Sequence, residues 1–418
     1  MHKLVSGAAK VSLIVLAAGL AGSPALTQQA SPPIARYTVD AGTTSGMMAM
    51  AAGGGGGVGS ALNMMRGGNQ VAHELVLRLG SSRSATGDPK ADHFLPDGTR
   101  LGASVPLETP RREPTARAEV PAQPGQQQLP QGRLLLFWGC GEHAGPGQPV
   151  VIDFSRMARG EVPPGLYAQG LNLPDDWRID TGNSTTYGDW PNARNSKPVP
   201  ANASLLGGHR IASTYAPEIS FTLADDFMPP LQARGSDMAS GAVGLSWGGL
   251  PKATGYYAWA IATGGGEDGN SRDMVWWTSS STQQFGGAMS DWISPSTAAR
   301  LVQAGTVMPP SQTSCTIPAE VRAAGGPVMM TQLYAYGPQA DFAYPPRPAS
   351  ARTPWRPEWI ARVRFRANTM VMLGMPGMDG TEDGGSRAEQ GQQAPAPSAK
   401  PRCRGLRGIA ERAAGLCE

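Results

Sequence analysis

Histidine, cysteine, net charge and long apolar runs are all scarce in this 418-residue chain, and each scarcity removes a class of function. The five histidines stand at positions 2, 73, 93, 143 and 209, all upstream of Ser246. Gly244-Leu245-Ser246-Trp247-Gly248 fits G-x-S-x-G, but a hydrolase nucleophile elbow needs a strand-to-helix turn at the serine and a histidine base later in the chain. Here Gly249-Leu250-Pro251 follows instead of a clean helix start. Four cysteines, with no second C-x-x-C or C-x-x-H beside Cys140-Gly141-Glu142-His143, do not make a zinc site. A papain-like nucleophile at Cys140 would need a helix beginning there, and His143-Ala144-Gly145-Pro146-Gly147 forbids one. A net charge of +3, small for this length, offers no large electrostatic footprint for nucleic acid. The apolar run at residues 11–20 is about half as long as a membrane-spanning helix requires.

Glycine and proline, by contrast, are abundant, at 55 and 38 residues, and they cluster. Clustering of this kind implies a folded centre between disordered N- and C-terminal arms. Residues 1–25 read as a secretory signal: His2, Lys3 and Lys10 form the basic region, residues 11–20 the apolar region, and Ser23-Pro24-Ala25 a cleavage site. Leu20-Ala21-Gly22-Ser23 has the outline of a lipoprotein box, with serine where the lipid-accepting cysteine would stand. The expectation is a periplasmic or secreted protein that is neither a lipoprotein nor held by an integral membrane anchor. That oxidising setting suits disulfides, and Cys140 and Cys315 in the folded centre are the candidate pair. Cys403 and Cys417 lie in the tail, where Leu406, Ile409, Ala413 and Leu416 suggest a short helix. A helix would hold those two cysteines about 21 Å apart, beyond disulfide reach. The tail therefore bends at Gly405 and Gly408, or these thiols pair elsewhere.

After the signal, residues 26–70 read as a Gly/Met-rich flexible segment. Residues 71–130 read as a strand, with Leu75, Leu77 and Leu79 on one face, followed by a Pro/Gln-rich linker. A β-rich domain is expected over 131–237, a second over 238–370, and a disordered tail over 371–418. Two short apolar runs at 134–138 and 149–154 flank a turn, and residues 211–223 have strand character, with Ile219, Phe221 and Leu223 alternating. Strands are predicted at 243–247, 256–261, 274–277, 316–317, 328–336 and 359–369, with a helix at 296–303. Residues 264–270 read as a hairpin connection. The fold class is all-β, two β-sandwich-like domains with long loops.

Trp247 at the end of one strand, then Ala253, Gly255 and Tyr256 opening the next, resemble the second-to-third strand region of a fibronectin type III or related immunoglobulin-like domain. Thr316-Ile317-Pro318, the loop at 319–326 and the apolar run at 328–337 resemble that module's fifth and sixth strands. The resemblance spans residues 240–345, and residues 278–314 are a longer insertion than the module usually carries. It implies a sandwich with Trp247 and Tyr256 in its core and a binding or structural role, not a catalytic one.

Aromatic residues are the strongest functional signal. If Tyr256, Ala258 and Ala260 face the core, strand alternation turns Tyr257, Trp259 and Ile261 outward. Tyr257, Trp259, Trp276 and Trp277 are therefore the candidate ligand-binding residues, with Tyr334 or Tyr336 able to join them. Such a strip would stack on the apolar C–H faces of sugars or grip a protein partner. In the competing reading, another domain or the Gly-rich N-terminal segment covers it. Methionines at 47, 48, 50, 64 and 65, and at 370, 372, 375 and 378, suit Cu(I) as thioethers, but no histidine or cysteine stands among them, and packing explains them equally. Glu267, Asp268, Asn270 and Asp273 fall short of EF-hand spacing. No catalytic, metal or cofactor residue is assigned. The expected role is non-catalytic binding or scaffolding at the cell envelope, with a glycan such as peptidoglycan or a protein as partner. The alternative is an exported polysaccharide hydrolase using Asp175, Asp176, Glu218, Asp225 or Asp226, which would require two carboxylates facing one another about 5–9 Å apart.

Overall fold

A computed structural model of the chain describes residues 32–52, 71–110, 132–161, 177–264, 273–350 and 354–375. The signal, Asp175 and Asp176, residues 265–270 of the hairpin connection and the tail with Cys403 and Cys417 lie outside these residues.

Strand formation follows from alternation. In β16 (Trp359–Leu373), Trp359, Ala361, Val363, Phe365 and Ala367 are buried on one face while Ile360, Arg362, Arg364 and Arg366 occupy the other. Nine strands build one sheet, in the spatial order β6 (Val150–Asp153), β5 (Arg133–Trp138), β13 (Met274–Thr278), β12 (Gly255–Thr263), β15 (Met329–Tyr344), β16, β1 (Ala35–Gly46), β2 (Val71–Ser81) and β7 (Thr186–Trp190). Neighbours are antiparallel except β13 beside β5 and β16 beside β1, which run parallel. Two smaller sheets complete the β structure. One contains β10 (Ala233–Asp237), β11 (Val243–Trp247) and β14 (Ser314–Ile317); the other contains β4 (Ser104–Pro106), β3 (Ala91–Phe94), β8 (Gly207–Ser213) and β9 (Ile219–Leu223). Helices are few and short: α1 (Met47–Ala52), α2 (Phe154–Ala158), α3 (Pro295–Gln303) and α4 (Ala319–Gly325). Among the described residues no helix is long and apolar enough to cross a membrane.

One face of the nine-stranded sheet is apolar and packs against both smaller sheets. A single hydrophobic cluster runs from Tyr37, Leu77 and Ile211 at one end to Trp277, Leu245 and Ile317 at the other. Trp247 and Tyr256 lie in it with ring centroids 5.4 Å apart, and the Tyr256 hydroxyl accepts the Leu250 N–H at 2.7 Å. A disulfide joins Cys140, just beyond β5, to Cys315 in β14, tying the large sheet to the three-stranded one.

Several expectations are corrected. The segment 26–70 contributes β1, a central strand, and the region read as a linker contributes β3 and β4. Residues 319–325 are a helix, not a loop, and β10, which pairs with β11, lies wholly before residue 238. Strands from both sides of the 237/238 boundary join one sheet over one core, so that boundary does not separate two cores. The physical cause is long-range pairing: β1 finds its parallel partner β16 at the other end of the chain, with no local turn to announce it.

Between the sheets lies a buried polar chain. His209 Nε2–H donates to the Leu205 carbonyl at 2.7 Å, so His209 Nδ1 accepts from His93 Nε2–H at 3.0 Å. His93 Nδ1 is thereby left to accept the Tyr37 hydroxyl at 2.8 Å. Every ring nitrogen is used with both imidazoles neutral. Burial lowers both histidine pKa values, that of fully buried His93 well below the ordinary range. Above about pH 6.5 the rings are neutral in the folded and unfolded chains alike. Below it the unfolded chain takes up protons that the folded chain refuses, so stability falls by up to about 1.4 kcal/mol per pH unit for each histidine. Urea denaturation at pH 7.5 and 5.5 should show this loss; equal stability at both would mean that the folded rings accept protons. The disulfide makes a second prediction. It spans a sequence separation of 175 residues, and removing a crosslink of this kind costs about 2–5 kcal/mol. A Cys140→Ser, Cys315→Ser variant should lose stability in that range, and an unchanged denaturation midpoint would contradict it.

Candidate functional site

The opposite face of the nine-stranded sheet carries different chemistry. Alternation places Thr38 and Asp40 of β1 there, in register with Arg362 and Arg364 of β16, and Thr38 also lies opposite Arg78 of β2. Farther along, the same face presents Tyr257 and Trp259 of β12 and Trp276 of β13. Its cover is partial. Helix α3 starts cleanly because Ser294 caps it, accepting the Thr297 N–H at 3.2 Å, and Pro295 opens the first turn. The helix and the preceding turn bring Met289, Ile293 and Ala298 down onto Tyr257, Tyr334 and Tyr336. The Tyr336 hydroxyl donates to the Met289 carbonyl at 2.6 Å and anchors that turn.

The cover divides the face into an aromatic end and a charged end. At the aromatic end Trp259 and Trp276 are diagonal neighbours on adjacent strands, with rings parallel to within 5° and centroids 5.0 Å apart. Phe285 meets Trp276 edge-on at 5.3 Å and is 48% exposed. Leu134, Leu136 and Ile152 pack beside Trp276. Two of the four predicted aromatic residues therefore come together, and two do not. Trp277 is 0% exposed, because adjacent residues of a strand point to opposite faces and it enters the sealed core, donating Nε1–H to the Gly139 carbonyl at 2.9 Å. Tyr257 lies on the open side but is 1% exposed beneath the α3 cover.

At the charged end Asp40 is wholly buried and receives two guanidiniums. Arg364 donates Nε–H at 2.7 Å and Nη2–H at 2.9 Å, and Arg78 donates Nη1–H at 2.8 Å. Arg364 also donates to the Trp292 carbonyl at 3.0 Å, while the Arg366 guanidinium lies 4.0 Å over the Trp292 ring and reaches Glu74 at 3.0 Å. Arg362 pairs with Asp341 at 2.7 Å and stacks 3.6 Å over Trp177. Opposite Arg78 in the β2–β7 ladder stands Asp189, whose carboxyl is raised by burial and accepts the Tyr187 hydroxyl at 3.1 Å. Between these groups and the start of α3 opens a cleft of about 520 Å³.

Other candidate positions resolve simply. Cys140 is in a disulfide and His143 pairs with Glu320 at 3.1 Å, so no thiol–imidazole pair forms there. Ser246 sits within β11, and a turn at Lys252 follows in place of a helix. The described loop acids are each held: Glu218 by Arg210, Asp225 by Lys252, and Asp226 by the Leu205 N–H at 2.8 Å and the Ser204 hydroxyl. The charged row was missed from sequence although a signal existed. Arg362, Arg364 and Arg366 alternate with Val363 and Phe365, a strand with one basic and one apolar face. No family model, no curated protein and no solved structure matches this chain.

The charged row generates a stability prediction. Removing the buried carboxylate strands two guanidiniums, so Asp40→Ala should cost about 3–5 kcal/mol. Glu218→Ala, which breaks an exposed pair with Arg210, should cost within about 1 kcal/mol. Equal urea midpoints for the two variants would show that Asp40 is not the anchor of the row.

Proposed function

We propose that the protein is exported to the cell envelope and acts there as a non-catalytic binding protein that holds a glycan on the aromatic end of its open sheet face. The observation that carries this reading is the parallel Trp259–Trp276 pair with Phe285 beside it, on the side of the sheet that the two smaller sheets leave uncovered. Indole and phenyl rings offer apolar area at low entropic cost, and sugar rings present matching C–H faces. Rigid placement helps, because both tryptophans sit on paired strands and not on loops. Strand order supports the accompanying view that β10 to β16 form a fibronectin type III or immunoglobulin-like module. Its strands divide into β10-β11-β14 facing β13-β12-β15-β16, with every neighbouring pair antiparallel. Modules of that kind bind and connect far more often than they catalyse.

The hydrolase reading draws less support, since the described loop acids are occupied by cations, hydroxyls or backbone donors. The test is co-sedimentation of the full chain with insoluble peptidoglycan and a panel of polysaccharides, beside a Trp259→Ala, Trp276→Ala variant. Trp277 stays untouched, because truncating a buried tryptophan costs about 3–5 kcal/mol and would confound the result. Retention of the wild type and its loss in a folded double variant is the expected outcome. Failure of the wild type to sediment with any glycan would overturn the glycan reading and favour a protein partner.

A further inference from the structure

The cleft at the charged end is separate in its chemistry from the aromatic patch. Arg78 of β2, Arg362 and Arg364 of β16, Arg300 of α3 and Arg178 all line it. Five guanidiniums thus converge from three secondary-structure elements and a loop on about 520 Å³, a volume in the range of small-molecule sites. The acids that balance them stand mostly behind. Asp40 is fully buried below Arg78 and Arg364, and Asp341 holds Arg362 from outside the lining. Two acids do line the cleft. Asp180 is taken by Arg178 at 2.8 Å and by the Gly182 N–H at 2.8 Å, and Asp291 accepts the Trp292 N–H at 2.7 Å.

This arrangement holds the guanidiniums in place without using all their donors. Each guanidinium has five N–H groups. Arg362 gives two groups to Asp341, and its guanidinium carbon lies 3.6 Å over the Trp177 ring, which restrains it. Arg300 has no carboxylate partner among the described residues and donates only to the Thr297 hydroxyl, at 3.3 Å. Thr38, 1% exposed, lies directly between Arg78 and Arg362 on the cleft side of the sheet, and its hydroxyl has no partner. The first turn of α3 adds Ser296 and Thr297 to the lining, with the positive end of the helix directed there.

Arg78 and Arg362 are planar donors held by carboxylates, Arg300 adds an uncommitted guanidinium, and such an array facing a cavity matches the lone pairs of an oxyanion. We propose that this cleft binds a ligand through a carboxylate, sulfate or phosphate group, clamped chiefly by Arg78, Arg300 and Arg362. The site stands independently of glycan binding at Trp259 and Trp276. Arg300 is the residue to test, because it is exposed and holds no other part of the fold in place.

Isothermal titration of the full chain with sodium phosphate, sodium sulfate and sodium galacturonate, at constant ionic strength in chloride, tests the proposal. Saturable binding of at least one of the three is expected. Arg300→Gln should weaken it at least roughly tenfold, as expected for loss of a charge-assisted contact. Arg234→Gln, an exposed arginine on β10, should leave it unchanged. Galacturonate binding alone assigns a planar carboxylate ligand; phosphate and sulfate binding assigns a tetrahedral one. The Trp259→Ala, Trp276→Ala variant should retain anion binding even if it loses glycan, so the two readings fail separately. No saturable binding of any oxyanion, or equal affinity in wild type and Arg300→Gln, overturns the proposal.

Discussion

Everything on the open face depends on one parallel ladder, Ala35–Gly46 against Trp359–Leu373. It joins residues 324 positions apart and sets Asp40 directly against Arg364. The entropy of closing so long a loop grows only logarithmically with its length, so the separation itself is a modest cost. What secures the ladder is alternation on both partners. Val39 and Ala41 enter the core with Val363 and Phe365, while Asp40 and Arg364 meet on the other side. A register slip of one residue would bury the arginines in the core and expose the apolar set. Strands β2 and β7 extend the sheet from the edge that β1 provides, and the separate sheet that includes β3 and β8 meets β1 through the Tyr37–His93 hydrogen bond.

That ladder also explains why the two faces of the sheet meet different fates. Apolar residues on one side gain about 25 cal/mol for each Å² hidden, and two smaller sheets hide them. Guanidiniums on the other side can be covered only where each finds an acceptor, since an unpaired buried charge is far more expensive than exposed surface. Asp40, Asp341 and Glu74 supply acceptors for Arg364, Arg362 and Arg366. Arg78 is left partly exposed, and so the cover stops at the edge of the cleft.

Binding is a more economical reading of this face than catalysis. A general acid or base needs a carboxyl or imidazole free to exchange its proton with a substrate. The two imidazoles of the core relay are buried with every nitrogen used, His143 is paired with Glu320, and Glu218, Asp225 and Asp226 are engaged, while His73, stacked on Phe227 at 3.9 Å, keeps Nδ1 without a partner. Aromatic rings on paired strands and arginines held by buried acids suit recognition without turnover. The disulfide reinforces this rigidity by linking the sheet that carries Trp276 to the one that carries Trp247.

Much of this was legible in the chain before its fold was known. Period-two alternation and short apolar runs marked the stretches that form β2, β5, β6, β9, β11 to β13, β15 and β16. Trp247 and Tyr256 were recognisable as core, and Cys140 and Cys315 as partners, from their place among these strands. Trp259 and Trp276 were recognisable as neighbours on one face, but Tyr257 and Trp277 were not recognisable as hidden. Alternation tells which side a residue takes; it does not tell which side is later covered, or by what. Strand β1 escaped notice since its threonines, serine and aspartate read as part of a flexible segment, and only the tertiary structure gives them partners: Arg78 and Arg364 for Asp40, Asn368 for Thr44, and the Met228 and Leu231 carbonyls for Thr43 and Ser45. The sequence by itself thus determined which stretches could be strands and which residues would share a face. Only the tertiary structure decided which face stayed open and which arginines met, because those outcomes depend on contacts between segments that the chain keeps hundreds of residues apart.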